Sequence, residues 1–154
     1  MSYILIVDDD EIIAEVVTDL MIGIGHACGW VTKGEDAWDL LKGGKRPDLM
    51  LLDQTLPGMS GIALLRQLRA SADFYDLPVI MFTAMRGRDD EARAIFDGAQ
   101  DFIRKPFRKE LLLSRVEGYF ARRYAEAGHK SVQQRMAEGS GMFSPTPHSY
   151  RRMM

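Results

Sequence analysis

The stretch Leu49-Met50-Leu51-Leu52-Asp53, which the turn formers Pro57-Gly58 soon follow, decides the fold of this chain. An unbroken apolar run that ends in such residues is typical of a buried strand that delivers its last side chain into a loop. Open α/β sheets bind their ligands in the crevice at the carboxyl ends of the strands. Asp53 stands at such an end, so we interpret it as the centre of the protein's chemistry.

Four other short apolar runs predict strands, and helical patterns alternate with them along the chain. The predicted strands are Tyr3 to Val7, Ala27 to Thr32, Leu49 to Leu52, Pro78 to Phe82 and Gln100 to Ile103, and the predicted helices begin near Ile12, Gly34, Ile62, Asp89 and Arg108. Strands that alternate with helices form a parallel sheet, because each parallel pair needs a crossover connection. The predicted fold is therefore α/β: a doubly wound, flavodoxin-like, five-stranded parallel sheet with strand order 2-1-3-4-5 and five helices.

The composition changes near Gly128. We expect residues 1–127 to form one domain whose last helix ends at about Ala127. Residues 128–154 have no sustained hydrophobic period and are rich in turn formers, so they predict a flexible, mildly basic, Met-rich tail. Such a segment is too short for an independent output domain, and we expect a stand-alone protein.

Charge and hydropathy exclude several classes of protein. The formal net charge of −2 gives no electrostatic footprint for nucleic acid. No apolar run approaches the roughly 20 residues of a membrane-spanning helix, and the N-terminus shows no export signal. The single Cys28 fits a reducing compartment. We expect a cytoplasmic protein that binds neither DNA nor membranes directly.

Polar side chains follow four of the predicted strands. They are Asp8 and Asp9 after the first, Asp53 after the third, Thr83 at the end of the fourth and Lys105 after the fifth. Clustered carboxylates repel one another unless a cation neutralises them, and hard oxygen ligands suit Mg²⁺. A lysine, a hydroxyl and a divalent cation are what a phosphoryl group requires, and an aspartate can itself be the attacking nucleophile. The pattern predicts phosphoryl transfer onto Asp53.

Each of these residues also has a simpler interpretation. An aspartate after a strand is often a turn or capping residue, and we expect Asp10 and Glu11 to cap the first helix. Thr83 alone is compatible with a turn, and Lys105 alone with a solvated charge. Their joint occurrence at four strand ends favours a site.

The chain resembles the receiver domains of two-component response regulators over residues 1 to about 122. The segments that carry the resemblance are Ile4 to Asp10, Pro47 to Asp53, Leu56 to Gly61, Pro78 to Ala84, Gly98 to Phe102 and Lys105-Pro106-Phe107. The resemblance implies that Asp53 accepts a phosphoryl group from a phosphohistidine on a sensor histidine kinase or a histidine phosphotransfer protein. It also implies that Asp9 and Asp53 ligate Mg²⁺ directly, that Asp8 holds it through water, and that the main-chain carbonyl of Thr55 completes the protein ligands.

The same resemblance assigns roles around the phosphoryl group. Thr83 would bond one phosphoryl oxygen and Lys105 another, and the Lys105-Pro106 bond would be cis. Phe102, in place of a frequent tyrosine, would swing inward as the switch residue. Thr55 and Met85 would modulate the lifetime of the phosphoryl group, and because neither readily orients a water we predict slow self-dephosphorylation.

The expected readout face comprises the fourth helix, fifth strand and fifth helix. Its predicted basic residues are Arg86, Arg88, Arg93, Arg104 and Arg108, which would meet an acidic protein target or a second copy of the domain on phosphorylation.

Several alternatives stay open. The domain could act as a phosphate sink instead of a signalling switch. An Asp-nucleophile phosphohydrolase usually carries a second aspartate two residues after the nucleophile, where this chain has Thr55, so we expect a phosphoacceptor and not an enzyme. A pseudo-receiver conflicts with the complete acidic set, and a flavodoxin-type cofactor binder with the acidic first loop.

Overall fold

The computed structural model of the protein describes residues 2–84 and 88–138, without the side chains of residues 88–90 and 126–138. Its strands are β1 Tyr3–Val7, β2 Ala27–Val31, β3 Leu49–Leu52, β4 Val79–Thr83 and β5 Asp101–Arg104. Its helices are α1 Glu11–Gly23, α2 Gly34–Lys42, α3 Gly61–Arg69, α4 Arg88–Phe96 and α5 Lys109–Glu138.

The five strands form one sheet in the order β2-β1-β3-β4-β5, and every neighbouring pair is parallel. The predicted fold class and strand order are confirmed. Every residue of β3 and β4 is buried, whereas the edge strand β2 is only partly covered. Because all strands run the same way, the residues that follow β1, β3, β4 and β5 meet at one edge of the sheet.

The chain divides into two compact units, one of residues Met1–Lys109 and one that begins at Glu110. The first unit contains the whole sheet and helices α1 to α4. Its hydrophobic core includes Leu52 of β3, Leu65 of α3 and Met81 of β4, all with no exposed surface. Burial of branched and thioether side chains on both faces explains why these strands read as unbroken apolar runs.

The second unit begins within α5, whose predicted end at Ala127 is wrong, since the helix continues to Glu138. Gly128 suggested a stop, yet one glycine in a helix costs only about 1 kcal/mol relative to alanine. The residues after it, among them Lys130, Gln133 and Arg135, are good helix formers and extend the helix. The rest of the predicted flexible tail, residues 139–154, lies outside the described residues.

Two further observations concern one peptide bond and the character of the helices. The Lys105-Pro106 peptide bond is cis, as the resemblance implied. Among the residues that the structure describes, no helix has both the length and the apolar character needed to cross a lipid bilayer.

Candidate phosphoryl-transfer site

Three carboxylates converge where β1 and β3 end. Val7 pairs with Leu52 in the sheet, so the residues that follow them, Asp8 and Asp53, lie side by side. The Asp53 N–H donates to the Val7 carbonyl at 2.9 Å and thereby holds the two strand ends together. One oxygen each of Asp8, Asp9 and Asp53 lies within 4.8 Å of the others. Asp8 and Asp53 are buried and Asp9 is exposed, so the cluster has a covered floor and an open side.

Lys105 brings the opposite charge from the far side of the sheet. Its Nζ donates to Asp8 Oδ2 at 2.5 Å and lies 3.4 Å from Asp53 Oδ2. The same ammonium lies 4.9 Å from the centroid of the Phe82 ring, a cation–π contact. The Lys105 N–H donates to the Thr83 carbonyl at 2.8 Å, which ties the loop after β5 to the end of β4. The lysine thus links the two halves of the strand edge.

Burial raises the pKa of the Asp8 carboxyl above its ordinary value. The hydrogen bonds from Lys105 and from the Asp10 N–H and the charge of Lys105 oppose this shift, whereas the nearby charge of Asp53 adds to it. A second cation beside Asp8 and Asp53 would therefore relieve an electrostatic cost that the lysine offsets only in part.

The carboxylates of the acidic run after β1 have two separate roles. Asp8 Oδ1 accepts a hydrogen bond from the Asp10 N–H at 2.9 Å. Asp10 turns away from the cluster, and its carboxylate accepts from the N–H groups of Ile12 and Ile13. The predicted cap of α1 by Asp10 is confirmed, and Glu11 lies in the first helical turn. Asp8 and Asp10, two positions apart, thus serve the site and the helix separately.

The loop after Asp53 is fixed by contacts that sequence reasoning missed. Gln54 Oε1 accepts from the Ile62 N–H at 2.6 Å, and the Gln54 carbonyl accepts from the Gly61 N–H at 3.0 Å. A Cβ at Gly61 would stand 2.2 Å from the Asp53 carbonyl oxygen. The start of α3 therefore approaches the backbone of Asp53 so closely that only glycine fits. In the sequence, the glycine that ends the Pro57 to Gly61 turn was the only indication of this close approach.

The remaining predicted site residues are placed as follows. Thr83 is fully buried at the end of β4, one strand from Asp53. Phe102 in β5 is 5% exposed and belongs to the core, so its ring points inward in this structure. Thr55 is exposed, and its N–H lies 3.5 Å from Asp53 Oδ1. Met85 lies outside the described residues.

The donor set fits a small hard cation. Three carboxylates offer oxygen ligands on a site with one open side, and Mg²⁺ retains several waters beside one or two carboxylates. Asp8, Asp9 and Asp53 are the residues that would hold it. The Thr55 carbonyl as a further ligand stays a prediction.

Comparison with known proteins agrees with this geometry. The family model for the response regulator receiver domain matches residues 4–117. The DNA-binding response regulator MtrA of Mycolicibacterium paratuberculosis is 39% identical over 119 residues, which cover 77% of this chain and 51% of that protein. The phosphate regulon transcriptional regulatory protein PhoB of Pseudomonas aeruginosa is 36% identical over 119 residues, which cover 77% of this chain and 52% of that protein. This chain spans about half the length of these curated relatives.

A solved structure shows the same fold. The receiver domain of a signal transduction histidine kinase from Syntrophus aciditrophicus matches with a TM-score of 0.70 at 35% sequence identity. The match covers 76% of this chain and 88% of that chain.

Proposed function

Because this chain belongs to the response regulator receiver domain family, we propose that Asp53 accepts a phosphoryl group from a phosphohistidine on a partner protein. The partner would be a sensor histidine kinase or a histidine phosphotransfer protein. The observation that carries the proposal is the convergence of Asp8, Asp9 and Asp53 within 4.8 Å, with Lys105 Nζ 3.4 Å from Asp53. A nucleophile, a cation site and a fixed positive charge thus share one strand edge.

In the proposed reaction a carboxylate oxygen of Asp53 attacks phosphorus in line with the leaving imidazole nitrogen. The new O–P bond gives an acyl phosphate, and the P–N bond breaks with its electron pair passing to nitrogen. Lys105 is placed to exchange its contact with Asp53 for one with a phosphoryl oxygen, and Thr83 to donate its hydroxyl to another. Bound Mg²⁺ would supply charge neutralisation for the incoming phosphoryl oxygens.

The signal would pass from β5 to α4. The Arg104 guanidinium lies 5.5 Å from the centroid of the Phe102 ring and pairs with Glu91 of α4 at 3.0 Å. A phosphoryl group that binds Thr83 and Lys105 better in one arrangement of these strands shifts the population toward it. Arg93 and Arg104 then present charge to an acidic target or to a second copy of the domain. The side chains of Arg86 and Arg88, named for this role from sequence, lie outside the described ones.

The family alone does not distinguish a signalling switch from a phosphate sink, and both use the same chemistry at Asp53. One of the relatives named above, MtrA, is a DNA-binding response regulator. For this chain, which spans about half of their length, a protein target instead of DNA stays a prediction. We also propose a cytoplasmic location, because the single Cys28 fits a reducing compartment.

The absence of a carboxylate or amide at Thr55 supports slow self-dephosphorylation, since a hydroxyl at this exposed position is poorly suited to orient an attacking water. A phosphoryl half-life of seconds without a phosphatase would contradict this part of the proposal.

Intact-mass spectrometry after incubation with acetyl phosphate, with Mg²⁺ or with a chelator, tests the central claim. We expect one phosphoryl group on the wild type in Mg²⁺ only, and none on Asp53→Asn. Asp10→Asn is the matched control, because the same exchange in the same acidic cluster region leaves a side chain that caps a helix equally well. Labelling that persists in Asp53→Asn, or that is lost equally in Asp10→Asn, would overturn the assignment.

A further inference from the structure

Trp30 reaches from the edge strand to the backbone of the acid cluster. Its indole Nε1–H donates to the main-chain carbonyl of Asp8 at 2.7 Å. The neighbouring residue of β2, Val31, accepts from the Asp8 N–H through its own carbonyl at 3.1 Å. Both main-chain polar groups of Asp8 are therefore held by β2, one through the backbone and one through the indole.

The carbonyl that Trp30 holds belongs to the peptide between Asp8 and Asp9. A peptide unit is planar, so fixing its oxygen also fixes the orientation of the Asp9 N–H and the position of the Asp9 Cα. Asp8 has little freedom of its own, because its carboxylate is already bonded to the Asp10 N–H and to Lys105. Asp9 is exposed, and none of the contacts described above holds its carboxylate. The orientation of this peptide plane therefore matters most for where Asp9 points.

We infer that Trp30 is a positioning residue for the cation site: its indole N–H orients the Asp8–Asp9 peptide so that the two carboxylates face one ion together with Asp53. This inference rests on the proposed function, since it concerns the same acid cluster. Residues that orient metal ligands without touching the metal commonly set its affinity. The indole is 37% exposed, and its outer face borders an open groove with Glu11 and Glu15 of α1. Because a partly exposed indole has access to water, burial of the ring alone does not explain the hydrogen bond to Asp8.

The test uses the fact that the chain has two tryptophans. The second, Trp38, packs edge-on against Phe74 with centroids 5.7 Å apart and is not in the acid cluster. In a Trp38→Phe background, Trp30 is the sole indole, and its N–H proton resonance should move when Mg²⁺ is added. Calorimetric titration should give this parent the same dissociation constant for Mg²⁺ as the wild type.

Replacement of Trp30 in this background by benzothienylalanine keeps the fused ring and removes only the N–H donor. We expect the dissociation constant for Mg²⁺ to rise about threefold to tenfold, the range that loss of one hydrogen bond produces. Trp30→Phe should show the same rise. Labelling of Asp53 by acetyl phosphate should slow in subsaturating Mg²⁺ and recover when Mg²⁺ is saturating, which a general loss of folding would not give.

An unchanged dissociation constant in the benzothienylalanine protein would overturn the role of Trp30 while leaving the proposed function intact. A wild type that neither binds Mg²⁺ nor becomes labelled would overturn both. Measurements on the wild type therefore distinguish the two failures.

Discussion

Helices α3 and α4 both contain nine residues and connect the strands that form the site, yet they are held in different ways. Five residues of α3 are buried: Gly61, Ile62, Leu64, Leu65 and Leu68. Its first turn is closed by the Ser60 side chain, which accepts from the Ala63 N–H at 3.1 Å. Among the described side chains of α4, Ala94 alone is buried, and Ile95 and Phe96 are 46% and 89% exposed.

The two halves of the site differ in the same way: the acid half contains Asp8, Asp9 and Asp53, and the other half contains Thr83 and Lys105. Helix α3 starts against the backbone of Asp53, so the acid half rests on a helix that the core immobilises. Along the chain, helix α4 connects β4, which ends at Thr83, to β5, which Lys105 follows. Its ion pair between Arg104 and Glu91 is exposed, and such pairs contribute about 0–1 kcal/mol. Segments with few buried contacts open most easily, so we expect the acid half to be rigid and the Thr83–Lys105 half to move.

The largest effect is expected where α3 meets Asp53. A Cβ in Gly61→Ala would stand 2.2 Å from the Asp53 carbonyl oxygen and 2.9 Å from Gln54 Cα, and backbone atoms cannot rotate out of the way. We expect the free energy of unfolding to fall by about 4 kcal/mol, measured by urea denaturation. The control is Gly23→Ala, whose added Cβ meets no atom within 4 Å and should be neutral or slightly stabilising. Equal midpoints for both variants would show that α3 can shift, and the contrast with α4 would be lost.

The second comparison truncates one aliphatic side chain in each helix. Leu65 of α3 has no exposed surface, and Leu65→Ala should lower the free energy of unfolding by about 3 kcal/mol. Ile95 of α4 is 46% exposed, and Ile95→Ala should cost less than about 1 kcal/mol. The same urea titration measures both. Similar losses at the two positions would mean that α4 is anchored as firmly as α3.

A third prediction concerns Lys105, which joins the two halves. Its side chain is 14% exposed, and the carboxylates of Asp8 and Asp53 are 0% and 7% exposed. Lys105→Met keeps the aliphatic stem and leaves two buried carboxylates without their cation. In Mg²⁺-free buffer we expect a loss of about 3 kcal/mol in the free energy of unfolding.

The direction of the Mg²⁺ effect then sharpens this test. In the variant no ammonium repels the ion, so Mg²⁺ should raise the melting temperature of Lys105→Met more than that of the wild type. A smaller rise in the variant would mean that the lysine assists cation binding, contrary to the electrostatics described above.

The sequence was sufficient for the sheet and for the residues at its edge. Runs such as Leu49 to Leu52 are apolar because both faces of their strands are covered, and parallel strands bring their carboxyl ends together. The convergence of Asp8, Asp9, Asp53 and Lys105 follows from that topology, and the structure places them as expected.

What the sequence could not predict depends on contacts between distant residues. Trp30 reads as a strand residue, and its bond to the Asp8 carbonyl appears only once β2 lies beside β1. Arg69 of α3 is half-buried and donates to the Gly98 carbonyl at 2.7 Å, a contact between distant residues that no local pattern indicates. The end of α5 was missed because Gly128 is a local signal that the helix-forming residues after it outweigh.

The smallest effect is expected at Phe96, the most exposed large apolar side chain among those the structure describes. Its ring is 89% exposed, so Phe96→Ser removes little buried apolar area and should change the free energy of unfolding by less than about 0.5 kcal/mol. The same exchange at Phe74, which is 9% exposed in the core cluster, should cost about 3 kcal/mol or more.

Urea denaturation of both variants makes the comparison. A loss above about 1 kcal/mol at Phe96 would mean that the ring holds α4 in place, since an exposed side chain without such a contact changes stability by less than that. Helix α4 would then not be the mobile element that we expect. A negligible loss would leave Ala94 as the one buried anchor among the described side chains of α4, because the others, at residues 91–93, 95 and 96, are exposed. The half of the site that contains Thr83 and Lys105 would then be the half that the core restrains least.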